Sequence, residues 1–334
     1  MMETCPFVSI ILPEKNEAKH IGACLDSLLS QSYPSEKYEI IIVDGQSSDN
    51  TLDIISTYQE LNKSIYVLSN PKSIVPISMN LGIRQAKGEF IVRVDAHATY
   101  HQDYVKACVE YLKKTGAANV GGPMIAVGEE YMGKAIAFAH KSRFGLGGGK
   151  FHDGTFEGEV DTVYLGAFRR DIFEKVGYYD ERLTRNQDIE LNCRIRESGE
   201  MIYLTPAIKS VYFNRSSLKS LWQQNYKNGY WNVITRAINS KALSMRHFVP
   251  CVFVLTLLVG CLCALTLFGQ LLLLASLGSY LIVNLLFSAQ IGKNSGLLYA
   301  LVMPLVFITL HFSYGVGTFI SLLKGNFISS KFRV

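Results

Sequence analysis

Nearly continuous apolar runs punctuate the first hundred residues. FVSIILP (Phe7 to Pro13), YEIIIVD (Tyr38 to Asp44), SIYVLS (Ser64 to Ser69) and EFIVRVD (Glu89 to Asp95) each predict a short strand buried on both faces. The segments between them carry apolar residues at helical spacing. Ile21, Cys24, Leu25, Leu28 and Leu29 share one face of a helix that Asn16 is placed to cap. Leu52, Ile55 and Tyr58 define a second helix behind a Ser48 or Asp49 cap. IVPISMNLGIRQAKG, from Ile74, predicts a third, ended by Gly88. Strand–helix alternation of this kind predicts an α/β fold with a mostly parallel, Rossmann-like sheet flanked by helices. After the helix YVKACVEYLKK the alternation stops, and NVGGPMIAV and EVDTVYLGAF read as strands of a less regular second half.

The pattern changes again near residue 217. Leu218, Leu221, Trp222, Tyr226, Tyr230 and Ile234 predict an amphipathic helix or helix pair over 217–247, lying on a membrane surface. Beyond it, Lys293 is the only charged residue between Phe248 and Leu323. Breaks at Gly269–Gln270 and at IGKNSG divide this tail into Phe248 to Phe268, Leu271 to Ile291 and Leu297 to Leu323. Each reaches the roughly 20 apolar residues needed to cross a bilayer as a helix. The expected organisation is a polar α/β domain over 1–216, interfacial helices over 217–247 and a transmembrane region over 248–334.

Composition agrees with two physical regimes. Hydrophobic residues make up 49% of the 334, and mean hydropathy is +0.17, above what a water-soluble enzyme of this size usually shows. The first apolar run is too short for a signal peptide, so the polar part is expected in the cytosol. Arg236, Lys241, Arg246 and Lys293 favour that side. Lys324, Lys331 and Arg333 then conflict with an odd number of crossings, so either one apolar piece is re-entrant or the last one, with Gly315 and Gly317, doubles back. The net charge of +5 reads as a basic face toward anionic lipid or phosphate, not a nucleic-acid groove. Seven cysteines without a C-x-x-C pair read as small core residues.

Ligands of a parallel sheet gather at the carboxyl ends of its strands, and Asp44 and Asp95 both stand there. Two residues beyond Asp95 is His97. On an extended segment i and i+2 face the same way, so carboxylate and imidazole together suit Mn²⁺ or Mg²⁺. A strand-end aspartate capping a turn beside an incidental histidine is the alternative. The glycine-rich HKSRFGLGGGKFHDGTFEG fits neither a P-loop nor G-x-G-x-x-G, and reads as a lid or a surface loop.

VSIILPEKNEAKHIGACLDSLLSQ, IIIVDGQSSDNT, GEFIVRVDAHA and YLGAFRRDIFEKVGYYDERLTRNQDIELNCRIRESG, in this order, resemble the motifs of glycosyltransferase family 2. The chain is similar to the membrane-attached bacterial exopolysaccharide branch that includes succinoglycan-type glucosyltransferases. The resemblance implies a GT-A fold, a divalent cation, a UDP-sugar donor and inversion at the anomeric carbon. It places Pro13, Asn16 and Glu17 in the nucleotide loop and Asp44 at uracil or ribose, with Lys72 and Asn80 assisting. Asp95 and His97 occupy the D-x-D position that holds ribose and metal, with histidine replacing the commoner second acid. Asp188 matches the catalytic base; a plain helix N-cap is its structural alternative. Arg169 and Arg170, with Arg143 and Lys150, are weaker candidates for acceptor or phosphate contacts.

Processive members carry Q-x-x-R-W, whereas QNYKNGYW has Lys227 and Asn228 at the last two positions. The expectation is therefore addition of one sugar to a polyprenyl-diphosphate-linked glycan at the inner membrane, for exopolysaccharide or envelope synthesis. The rivals are a dolichyl- or polyprenyl-phosphate sugar synthase and an inactive membrane scaffold.

Overall fold

The computed structural model describes residues 5–146 and 154–325. Along the chain run β1 (Val8–Glu14), α1 (Ile21–Leu29), β2 (Tyr38–Asp44), α2 (Thr51–Leu61), β3 (Ile65–Ser69), α3 (Val75–Gln85), β4 (Phe90–Arg93), β5 (Ala98–Tyr100), α4 (Tyr104–Thr115), β6 (Asn119–Gly122) and β7 (Met124–Val127). Then come α5 (Tyr131–Lys141), α6 (Arg143–Leu146), β8 (Gly158–Glu159), β9 (Tyr164–Arg169), α7 (Asp171–Val176), α8 (Gln187–Glu197), β10 (Ile202–Leu204) and β11 (Ser210–Phe213). The chain continues with α9 (Leu218–Ile238), α10 (Val249–Leu262), α11 (Leu267–Ser295) and α12 (Leu297–Leu323). Two compact units emerge: residues 5–125 with 154–213, and residues 126–146 with 214–325.

The first unit is built on an eight-stranded sheet in the order β3-β2-β1-β4-β9-β6-β10-β8. β3, β2, β1 and β4 are parallel, and β9 is antiparallel to both its neighbours, β4 and β6. Successive strand residues point to opposite faces, and both faces are covered. Ile10, Leu12, Ile40 and Ile42 pack with Ile21, Leu25, Leu28 and Ile55 on one side. Ile11, Ile41 and Val43 pack with Met79, Ile83, Leu191 and Ile195 on the other. Continuous apolar runs are what a two-sided sheet requires.

Local expectations differ from this structure in four places. Asn16 does not cap α1, which starts at Ile21 behind His20 without a side-chain cap; Asn16 instead adopts a left-handed backbone, φ 56°. Asp49 serves α2 from just outside the helix, accepting from Thr51 N at 3.1 Å. Leu52 is exposed, and Thr51 and Ile55 are the buried residues of that helix. α3 ends at Gln85, and Gly88 serves packing: a Cβ there would lie 2.4 Å from the Ser9 amide nitrogen.

The second unit is helical. Three of its helical stretches are long and apolar enough to cross a membrane: Met245–Leu262, Leu267–Ser295 and Leu297–Leu323. The first break falls at 263–266, where the Thr266 hydroxyl accepts from Gly269 N and starts α11. Gly269 and Gln270, expected to separate two spans, lie within that helix. α11 also absorbs most of IGKNSG, leaving Gly296 (φ 113°) as the joint. α12 runs unbroken through Gly315 and Gly317, so it does not double back. These glycines let helices approach closely: a Cβ on Gly317 would meet Tyr226 O at 2.1 Å, and one on Gly229 would meet Tyr314 O at 2.0 Å. The buried residues of α9 are Leu221, Asn225, Gly229, Asn232, Val233, Ile234 and Thr235; Leu221 and Ile234 were expected there, and small and polar residues fill the rest. Trp222 is exposed.

Candidate functional site

β1 and β2 finish together, with Glu14 paired to Asp44 in register, and Asp44 in turn beside Ser69 of β3. Pro13, opposite Val43, is tolerated in a central strand because β4 pairs with β1 only as far as Ile11. The two following loops are stitched together. Asn16 Oδ1 accepts from Ser48 N at 2.7 Å, the Asn16 amide donates to Ser47 Oγ at 2.9 Å, and the Glu17 amide donates to Thr51 Oγ1 at 2.8 Å.

Asp44 is buried and accepts from the amides of Gln46 and Ser47, each at 3.0 Å. It caps the turn at the strand end. Burial pushes its carboxyl upward, but hydrogen bonds from Ser47, Glu14 and these amides hold it below the usual range. Glu14 goes the other way: burial, then the neighbouring Asp44, raises it to about 8. The pair therefore carries one proton at neutral pH. Lys72 is exposed on the loop after β3, its amide donating to Asn70 Oδ1 at 3.0 Å. Ser73 anchors that loop through Gly45 O at 2.6 Å.

The most consequential side chain is Arg93, the last residue of β4, a lone charge inside an apolar strand. It is only 7% exposed. Its guanidinium donates through Nη1 to Asp188 Oδ1 and through Nη2 to Asp95 Oδ1, the latter at 3.3 Å. Asp188 is the second residue of α8, behind Asn186 in the left-handed region (φ 61°). It is thus not the N-cap, although the helix dipole favours an anion in that first turn. Its side chain is 39% exposed yet surrounded by protein, the geometry of a recess. Burial raises its carboxyl above the usual range, with Arg93 pulling the other way and Asp95 adding to the rise.

Beyond Asp95 the chain is not extended: Ala96 and His97 form a turn. His97 Nδ1 lies 3.0 Å from Glu17 Oε1, and the ring packs edge-on to Tyr212. Asp95 and His97 thus have different protein partners, Arg93 and Glu17, and the segment joining them is a turn where an extended run was expected. Among the described residues no group of three or more His, Cys, Asp or Glu side chains could hold a metal alone. Asp95 still presents a hard oxygen donor, which fits a cation whose other ligands come from phosphate and water.

Three predicted contacts are displaced. Arg169 pairs with Phe90, at the start of β4, and the Arg170 amide donates to Glu89 O at 3.0 Å. Both arginines therefore sit at the opposite edge of the sheet from Asp95, because β9 runs antiparallel. Asp95 lies five positions beyond Phe90, about 16 Å along an extended chain. Arg169 there pairs with Glu200 at 2.9 Å. Asn80 is buried, donating to Tyr179 O and Glu181 Oε1 and accepting from Tyr179 N; it ties α3 to the loop before α8. Arg143 opens α6 in the helical unit, and Lys150, with the middle of the glycine-rich stretch, lies outside the described residues. Arg93 and Glu14 are the residues that sequence reasoning missed. A charged side chain within a run buried on both faces was the available signal for Arg93.

The first unit is thus a mixed α/β sheet with Asp44, Asp95 and Asp188 gathered at the carboxyl ends of its parallel strands. The chain belongs to glycosyl transferase family 2, whose profile matches residues 9–177; Asp188 lies beyond that stretch. It is 33% identical over 222 residues to succinoglycan biosynthesis protein ExoA of Rhizobium meliloti (strain 1021), covering 66% of this chain and 67% of that protein. It is also 33% identical to a dolichyl N-acetyl-alpha-D-glucosaminyl phosphate 3-beta-D-2,3-diacetamido-2,3-dideoxy-beta-D-glucuronosyltransferase of Methanococcus voltae, over 68% of this chain and 76% of that one. The fold is GT-A. It superposes on the mannosyltransferase PcManGT of Pyrobaculum calidifontis, solved with GDP-Man and Mn²⁺, at a TM-score of 0.60 and 18% identity, covering 96% of this chain and 88% of that one. S. aureus TarS 1-349, solved with UDP-GlcNAc, gives a TM-score of 0.52 at 18% identity, covering 96% of this chain and 92% of that one.

Proposed function

We propose that this family 2 transferase is an inverting, metal-dependent enzyme that moves one sugar from a UDP-sugar, UDP-glucose being the first to test, to a polyprenyl-diphosphate-linked glycan. The product would feed exopolysaccharide or envelope polysaccharide synthesis at the cytosolic face of the cell membrane. The names of the two relatives, one in succinoglycan synthesis and one acting on a dolichyl-linked sugar phosphate, support this acceptor class. In this reading residues 1–216 are catalytic, 217–247 interfacial and 248–334 membrane-embedded. Arg236, Lys241 and Arg246 precede the first apolar helix and favour the cytosolic side.

The observation that carries the reading is the single buried guanidinium joining Asp95 to Asp188. It supports a donor end and an acceptor end within one recess. Asp95 and His97 are the residues that would hold the cation, with Glu17 beside His97. When bound, a divalent ion supplies positive charge to the leaving diphosphate. Asn16, Pro13, Asp44 and Lys72 line the strand ends where the nucleotide would lie. Asp188 takes the proton of the acceptor hydroxyl as its oxygen bonds to the anomeric carbon. The bond from that carbon to the phosphate oxygen breaks, and the nucleoside diphosphate leaves. One base and no protein nucleophile give a single displacement, hence inversion.

Asp188→Asn tests the assignment. Transfer from labelled UDP-sugar to native lipid extract should fall by roughly a hundredfold to ten-thousandfold, with UDP binding retained. Full activity in this variant removes the base. The wild-type product should contain a new glycosidic bond, and a lipid-linked sugar monophosphate would instead make the lipid phosphate the acceptor.

A further inference from the structure

We propose that Arg93 is a positioning residue for catalysis: anchored on the central strand β4, it fixes the Asp188 carboxylate in place and ties it to the donor-side Asp95. This rests on the reading of Asp188 as base.

Two features of the structure support it. First, the two partners differ in rigidity. β4 lies between β1 and β9 within the eight-stranded sheet, whereas Asp188 stands in the first turn of a helix entered through a left-handed residue. A carboxylate there needs an external support to hold one direction. Second, Arg93 is buried while Asp188 is reachable by solvent, so the cation is placed behind the acid and not in front of it. Its two η nitrogens diverge to two carboxylates, which a planar guanidinium can do and an ammonium point charge cannot reproduce. Buried polar atoms around this point, Arg93 Nε, Tyr164 OH and Gln187 Oε1, have no hydrogen-bond partner, and Tyr164 acts electrostatically on Arg93.

The test compares Arg93→Ala, Arg93→Lys and Asp188→Asn with wild type, using full-length protein in membranes. Readouts are kcat and donor KM for transfer, UDP binding, and activity with added guanidinium. Arg93→Ala should lower kcat on the order of 100-fold with UDP affinity little changed. Free guanidinium should restore part of the loss, and Arg93→Lys should fall between. Loss of UDP binding with kcat unchanged at saturating donor would overturn the proposal, making Arg93 a donor ligand. So would wild-type kcat in Arg93→Ala while Asp188→Asn is inactive. An active Asp188→Asn would remove the base reading itself. If Arg93→Ala does not fold, Arg93→Lys decides: a lowered kcat at unchanged UDP affinity supports the role, and a wild-type kcat overturns it.

Discussion

Both units bury polar groups, and they do so to opposite effect. Within α10–α12 of the helical unit every described buried polar side-chain atom finds a partner, whereas Asn214 Oδ1 and Gln224 Oε1, outside these three helices, do not. Asn284 donates to Pro304 O, filling the neighbourhood of a helix-interior proline, and Ser313 and Thr318 donate to the carbonyls of Thr309 and Gly229. In the sheet unit, the edge that carries Asp44, Asp95 and Asp188 keeps strained turns, a proton-sharing acid pair and unpartnered polar atoms. Satisfied polar groups hold helices in register where no water can help. Groups left with unused hydrogen-bonding capacity are what a reaction site requires. The division runs between α10–α12, with their polar groups satisfied, and the strand ends, with theirs in part unsatisfied.

That division can be broken from either side. Replacing Asp95 by Asn should lower transfer by roughly a hundredfold or more by weakening cation binding, and abolish Mn²⁺-dependent UDP binding in a titration. The thermal midpoint should hold or rise, because the recess loses a negative charge. A stability loss equal to the activity loss would contradict the contrast. Gly317→Leu should do the reverse. With no room for even a Cβ against Tyr226 O, it should cost about 1–3 kcal/mol or more, read as lower Tm and yield in detergent, without touching the residues of the site.

Glu14→Gln sharpens the picture inside the sheet unit. Glu14 titrates near 4.5 in an unfolded chain and at about 8 when folded, so the folded form holds its proton longer. Its contribution to stability is complete below about pH 4.5 and is lost as pH rises toward about 8. Wild-type stability should fall by up to about 1.4 kcal/mol per pH unit across that window. Gln cannot ionise and still donates to Asp44, so the variant's melting temperature should stay nearly flat from pH 5 to 8. Parallel curves for the two proteins would refute the shared proton. The smallest effect belongs to Arg169→Gln. It removes a half-exposed pair with Glu200 and should cost less than about 1 kcal/mol, leaving transfer unchanged; a large kcat loss would return this arginine to the site.

The parallel half of the sheet was legible because strands buried on both faces leave unbroken apolar runs, and helices between them leave a 3.6-residue period. Strand direction leaves no such trace. YLGAFRR reads the same whichever way β9 runs, so Arg169 and Arg170 were expected at the wrong edge. Arg93 was hidden by the same logic, one charge within a run whose neighbours all belong to the core. In the helical tail, glycine was taken for a break, yet Gly269 and Gly317 are small residues that permit close approach. Asp44 was singled out by its place at a strand end and Asp188 by resemblance, while the link from Asp188 through Arg93 to Asp95 depends on a contact 95 residues apart in sequence.

The chain enters the helical unit early, leaves it for the second half of the sheet, and returns. α5 lays Ala135, Ile136 and Ala139 against Met303, Val306, Phe307 and Leu310 of α12. Those faces lie far apart in sequence, α5 ending at Lys141 and α12 beginning at Leu297, with Leu221 of α9 joining them from between. Until α12 has been made, α5 therefore lacks most of its partner surface, and closing that long loop is an intrinsically slow step. Early termination ahead of α12 would consequently injure a segment that had been completed long before.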